Sequence, residues 1–201
     1  MTPNVGVGHN RTVIPVVTPE EMSAIDAEAS EPSEVLIRRA AWYVAHEAIV
    51  MMGGTYGRRV VVLVGKGNNG NDGRVAAGFL AERGVRTHVI EVAEVARFES
   101  GFPSCDLLLD AAFGTGFSGT WDPPTPGAAP VLAVDIPSGI DGLTGQACGS
   151  PWHAVRTVTF AGLKPGLLQG DGPHYTGGVV LADIGLDVGR ARAHLVEDTD
   201  V

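Results

Sequence analysis

Three short segments carry residue types that could do chemistry on an anionic ligand. The first is Gly65-Lys66-Gly67-Asn68-Asn69-Gly70-Asn71-Asp72-Gly73, directly after an apolar run that ends at Val64. Its glycines permit positive φ and close backbone approach, and a helix starting here would offer unpaired N–H groups to a phosphate. No lysine followed by serine or threonine closes the turn as in a Walker loop, and the spacing is not GxGxxG. Asn68, Asn69, Asn71 and Asp72 add polar ligands, although Asp72 reads equally as the N-cap of the next helix.

The second segment runs from Asp110 to Gly114-Thr115-Gly116, and the third is Asp135 with Pro137-Ser138-Gly139 and Asp141-Gly142. Each is a strand-like run closing in an acid before a glycine-rich turn. In an open α/β sheet ligands collect outside the carboxyl ends of the strands, so the three endings are expected to meet in one crevice. Carboxylates there would repel a diphosphate unless a cation intervenes or one of them is protonated. The Asn69 amide, Asp110 carboxylate and Ser138 hydroxyl are oxygen ligands suited to a hard monovalent or divalent cation. Asp110 and Asp135 also admit a plainer reading, as acids that cap loops. Lys164, after Thr159-Phe160 and before Pro165-Gly166, could supply positive charge. Only His153 and His174 are candidates among six histidines, which form no cluster at ligand spacing.

These segments need elements to hold them. Thr18-Pro19-Glu20-Glu21 reads as a helix start, with an N-cap, a proline at the first position and acids in the first turn, running to about Ala29. A second helix is expected from Ser33 to just before Gly53-Gly54, and a third over Asp72–Arg83. From Arg59 onward the apolar runs have strand length. The strands expected are Val60–Val64, Thr87–Val92, Asp106–Asp110, Val131–Asp135, Val155–Phe160 and Val179–Asp183. Trp121–Pro130, with four prolines, is expected as a loop. The fold class is therefore α/β, a three-layer αβα sandwich around a mostly parallel sheet. Residues 1–17 are expected as an irregular segment, 18–190 as the domain and 191–201 as a tail.

A chain of 201 residues, 44% hydrophobic and 18% charged, can bury a full core. No run approaches the roughly 20 apolar residues of a membrane span, and the start lacks the basic and apolar regions of a signal peptide, so a cytoplasmic protein without a membrane partner is expected. The net charge of −9 leaves no general basic surface for nucleic acid. Cys105 and Cys148 have no CxxC spacing, which excludes a disulfide framework and an ordinary zinc site.

Taken in order, the Gly67–Gly73 turn, Asp110 with Gly114-Thr115-Gly116, Asp135 to Gly139, and Thr159-Phe160 with Lys164-Pro165-Gly166 resemble the motifs of the NAD(P)HX epimerases, the YjeF N-terminal domain family. The resemblance spans about residues 18–186. It implies a Rossmann-like fold and an enzyme that interconverts the R and S hydrates of NADH and NADPH, coupled functionally to a separate dehydratase, and it allows a homodimer. It implies a potassium ion on Asn69, Asp110 and Ser138. Substrate contacts would come from Asn68, Asn69, Gly70, Asn71 and Asp72, from Gly114, Thr115, Gly116, Phe117, Ser118, Gly119 and Thr120, and from Asp135 and Lys164, with Asp135 as the catalytic acid/base. The chain departs from the pattern in a short crossover over 93–104, a short loop before Val131, Asn71 in place of a commoner glycine, and Arg38-Arg39 where many members carry Glu-Asn.

Two other functions stay open on the sequence. A non-catalytic nucleotide-binding or scaffold protein would account for the short crossover. A nicotinamide dehydrogenase lacks its glycine fingerprint, with Glu91 the nearest candidate for a ribose-binding acid.

Overall fold

The structure, a computed structural model, describes residues 11–198. Its elements are β1 (Arg11–Val16), α1 (Pro19–Ala27), α2 (Ser33–Met52), β2 (Arg59–Val64), α3 (Asn68–Glu82) and β3 (Arg86–Glu91). A 3-10 segment (Val92–Phe98) follows, then β4 (Leu107–Ala111), β5 (Val131–Val134), β6 (Arg156–Phe160), α4 (Pro165–Leu168), α5 (Gly172–Thr176), β7 (Gly178–Ala182) and β8 (Ala193–Asp198). Six strands form one parallel sheet in the order β3-β2-β4-β5-β6-β7. The chain reverses direction across the sheet between β2 and β4. That places the Gly65–Gly73 turn and Asp110 on either side of a topological switch point.

Alternation along the strands divides the core. Val60, Val62, Val64, Leu107, Leu109, Ala111, Leu132 and Val134 pack under α2 and α3. Val61, Leu63, Leu108, Val131 and Ala133 face the opposite layer, where the 3-10 segment, Phe102, Trp121 and Trp152 cover them. The α/β class and parallel sheet are as expected, but this second layer is thin. With only a short connection after β3 and a proline-rich loop before β5, aromatic side chains cover the sheet where a crossover helix would otherwise lie. Among the described residues no helix is long and apolar enough to cross a membrane.

The ends of the chain correct the expectation of irregular flanks. Residues 11–16, expected within an irregular segment, and 193–198, expected within a tail, pair as the antiparallel strands β1 and β8; residues 1–10 and 199–201 lie outside the described part. The ribbon is held to the domain because the Leu163 N–H donates to the Pro15 carbonyl and the Val17 N–H to the Leu163 carbonyl. It thereby anchors the turn that carries Lys164. The Thr18 cap is as read from sequence, with a reciprocal capping box to Glu21.

Candidate active site

Helix α3 begins at Asn68 with Gly67 as N-cap, four residues before the expected start. Asp72 is therefore not a cap; it stands in the second turn, 7% exposed. None of Gly65, Gly67, Gly70 and Gly73 adopts positive φ. Close approach is what three of them supply. A Cβ on Gly65 would lie 1.9 Å from the Ala112 carbonyl oxygen, one on Gly70 1.9 Å from that of Gly65, and one on Gly73 2.5 Å from the Ala111 Cβ. Asn71 needs no left-handed conformation either, since it sits inside the helix. Gly70→Ala is expected to displace the first turn of α3 and cost about 2–4 kcal/mol. Gly78→Ala, on the same helix with open space around it, should be neutral or slightly stabilising. Chemical denaturation of both variants checks the contrast.

The left-handed backbone instead occurs at Asp135, with φ of 68°, and at Ala161, with φ of 63°. Asp135 follows the last residue of β5, and its conformation turns the carboxylate to meet two partners across the sheet edge. Its Oδ2 accepts from the Thr115 N–H at 2.9 Å, and its Oδ1 lies 2.7 Å from the Lys164 ammonium. Burial pushes the Asp135 carboxyl up, but Lys164 and the Thr115 N–H together outweigh it and hold it below its ordinary range. Lys164, expected as a source of positive charge and a substrate contact, is 1% exposed. Besides Asp135 it donates to the Thr159 hydroxyl at 3.0 Å and the Phe160 carbonyl at 2.9 Å, so its three N–H donors are all engaged.

Asp110 and Ser138 are completely buried behind the cavity wall. Ser138 donates its N–H to Asp110 Oδ2 at 2.9 Å and places its hydroxyl 2.6 Å from Oδ1. The same hydroxyl oxygen accepts the Phe113 N–H and lies 3.1 Å from the Phe113 carbonyl. Burial raises the Asp110 carboxyl, with the Ser138 bonds opposing it in part. A Cβ on Gly114 would touch both Asp135 and Asn69, so the first and third motifs meet across that glycine. Both polar atoms of the Asn69 amide are buried without a partner. Among the described residues no group of three or more His, Cys, Asp or Glu side chains could hold a metal ion.

These walls enclose a cleft of about 610 Å³ between α1, α2 and the carboxyl edge of the sheet. From the sequence-derived set it is lined by Asn68, Asn69, Asp72, Gly114, Thr115, Gly116, Phe117, Asp135 and Lys164. Gly70, Asn71, Ser118, Gly119 and Thr120 do not line it. Asp72 makes no side-chain hydrogen bond among the described residues. Burial pushes its carboxyl up to about 8, with repulsion from Asp135 and Asp26 adding to the effect. Asp26, on α1, was not among the expected residues; it lines the cleft, and burial raises its carboxyl as well. Lys66, part of the first segment but not named there as a contact, lines the cleft too. Arg38 and Arg39 have structural partners: Arg38 covers the Phe79 ring, and Arg39 ties Glu31 to the Ile184 carbonyl at the cleft wall. His153 and His174 lie outside the cleft and contact each other.

The arrangement combines an ionised, fully hydrogen-bonded carboxylate with a neighbouring carboxyl that stays protonated near neutral pH. Such a pair can give a proton and take one in the same cleft.

Comparison with known proteins gives the family. The model of the family described as YjeF-related protein N-terminus matches residues 33–100 and 91–166. The chain is 40% identical to the bifunctional NAD(P)H-hydrate repair enzyme Nnr of Mycobacterium tuberculosis, over 86% of this chain and 41% of that protein. It is 34% identical to the NAD(P)H-hydrate epimerase of Leuconostoc mesenteroides, over 85% of this chain and 91% of that one. The chain thus spans about two fifths of the bifunctional relative and most of the single-function one. The crystal structure of the yeast protein ynu0 superposes with a TM-score of 0.62 at 22% identity, covering 75% of this chain and 82% of that one, a likeness of fold. On the family match and the near full-length similarity to the Leuconostoc protein, the chain belongs to the YjeF-related N-terminal family.

Proposed function

We propose that the chain epimerises the R and S hydrates of NADH and NADPH, a repair reaction, by acid/base loss and re-addition of the hydroxyl on the ring carbon beside the ring nitrogen. The observation that carries the reading is the pairing in one cleft of Asp135, held ionised by Lys164, with Asp72, held neutral by burial. Asp72 gives its proton to the departing hydroxyl, which leaves as water, and the ring becomes a planar iminium. Water then adds to either face while a carboxylate of the pair, Asp135 or Asp72, takes its proton, so no net proton or electron is consumed. Relatives named NAD(P)H-hydrate epimerase support the substrate class. A homodimer and coupling to a separate dehydratase belong to the same proposal.

The shortened crossover does not favour a scaffold role, because no residue from 92 to 104 lines the cleft. Glu91, the ribose-acid candidate of the dehydrogenase reading, is engaged by Arg74 and lies outside it. Purified protein given separated hydrate epimers should accelerate their interconversion, followed by chromatography. No acceleration at high enzyme concentration would reject the activity.

Potassium fits the residues implied to hold it. Asn69 has a buried amide oxygen without a partner, and no cationic side chain pairs with the buried Asp110 carboxylate among the described residues. With the Ser138 hydroxyl these make an all-oxygen set suited to a hard ion. The ion would supply positive charge near a substrate rich in phosphate. Potassium is expected to raise the unfolding midpoint in proportion to its logarithmic concentration, whereas tetramethylammonium should not. Asp110→Ala should remove that dependence.

A further inference from the structure

The cleft offers little free positive charge to a substrate that is itself an anion. Four acids line it, Asp26, Glu31, Asp72 and Asp135, against two lysines, Lys66 and Lys164. Lys164 is enclosed and its donors are used within the protein. Glu31 is already paired with Arg39. Lys66 differs: it is exposed, lines the cleft, and makes no ion pair or side-chain hydrogen bond among the described residues.

Its position adds a second reason. Lys66 immediately precedes Gly67, the N-cap of a 15-residue helix that receives no side-chain cap. The first-turn N–H groups therefore have no side-chain acceptor, beside a flexible ammonium. Within the cleft, Thr115 is 9% exposed and its hydroxyl has no partner, a buried polar group that lacks the hydrogen bond such groups ordinarily make. A diphosphate reaching from the helix start toward Thr115 would satisfy both ends, and its charge needs a cation that Lys164, paired with Asp135, does not supply.

We propose that Lys66 pairs with the diphosphate of the dinucleotide and so determines affinity at the cleft mouth, an inference that rests on the substrate class proposed above. The ring then lies deep, beside Asp135 and Asp72. Lys66 acts on binding alone and takes no part in proton transfer.

ADP-ribose, which carries the diphosphate without the reactive ring, is the probe. Calorimetric titration of the wild type, Lys66→Met and Lys66→Arg is expected to show about a tenfold loss of affinity in the methionine variant, mostly restored by arginine. Raising the ionic strength from about 50 to about 300 mM should weaken wild-type binding more than Lys66→Met binding. For the hydrated substrate, KM should rise about tenfold with kcat within about twofold. Unchanged ADP-ribose affinity in Lys66→Met, or an arginine variant as weak as the methionine one, overturns the assignment while leaving the epimerase reading intact. A wild type that binds no ADP-ribose overturns both.

Discussion

Asp135→Asn is expected to slow epimer interconversion by at least about a thousandfold and also to destabilise the fold by about 3–5 kcal/mol. The two effects have different origins. Asparagine tolerates the left-handed backbone at this position and can still accept the Thr115 N–H, so the local path of the chain should survive. What it removes is the charge opposite Lys164, leaving an ammonium that is 1% exposed without its counter-ion. A buried charge that loses its partner costs far more than the pair itself contributes. Lys164→Met alone should be milder in stability, because Asp135 can then take up a proton, and it should shift the pH profile of activity upward. Combining Asp135→Asn with Lys164→Met removes both charges and is expected to regain most of the lost stability while remaining inactive. Denaturation and kinetics across the four proteins form a double-mutant cycle, with a coupling of about 2–4 kcal/mol in stability. An Asp135→Asn protein as stable as the wild type would contradict the ion-pair account. An active double variant would remove Asp135 from the chemistry.

The parts of this site that the sequence discloses are those where chain chemistry is local. Asp110 and Asp135 end apolar runs of strand length, and a parallel sheet necessarily brings such endings to one edge. The Gly65–Gly73 turn is legible for the same reason, and so in part is its mechanism. Of the two reasons the spacing offers for glycine there, close backbone approach holds and positive φ does not, and which atoms are approached is set only in three dimensions. Lys164 was hidden by its type, since a lone lysine ordinarily stays in water, and only the convergence of Asp135, Thr159 and Phe160 makes its burial tolerable. The β1–β8 ribbon was hidden by distance. One of its strands contains Pro15, and each finds its partner at the far end of the chain. Asp26 had no local signal at all: α1 reads as an ordinary capped helix, and its acid acquires meaning only from the carboxylates it faces.

Asp72 should make stability and activity move in opposite directions. Its carboxyl rises from an ordinary value of 3.8 to about 8 in the folded chain, first by burial and then by the charges of Asp135 and Asp26. Between about pH 4 and pH 8 the folded protein therefore keeps a proton that the unfolded chain has released. Stability contributed by this site is fully present at low pH, falls as pH rises through that window, and levels off once both states are ionised. The accumulated loss is about 2–5 kcal/mol. Asp72→Asn cannot ionise, so its stability should match the wild type near pH 4 and exceed it increasingly toward pH 9. The same substitution takes away the proton donor for the departing hydroxyl and should lower kcat by about a hundredfold or more. Wild-type activity should accordingly decline as pH passes about 8, the limb that belongs to Asp72, while ionised Asp135 persists throughout. Unfolding measured in tetramethylammonium buffer excludes any contribution from a bound alkali cation. Parallel stability curves for the two proteins would show that Asp72 is not held protonated by the fold. A variant more stable yet nearly inactive is the result expected of a carboxyl kept neutral, at a cost to the fold, for proton donation.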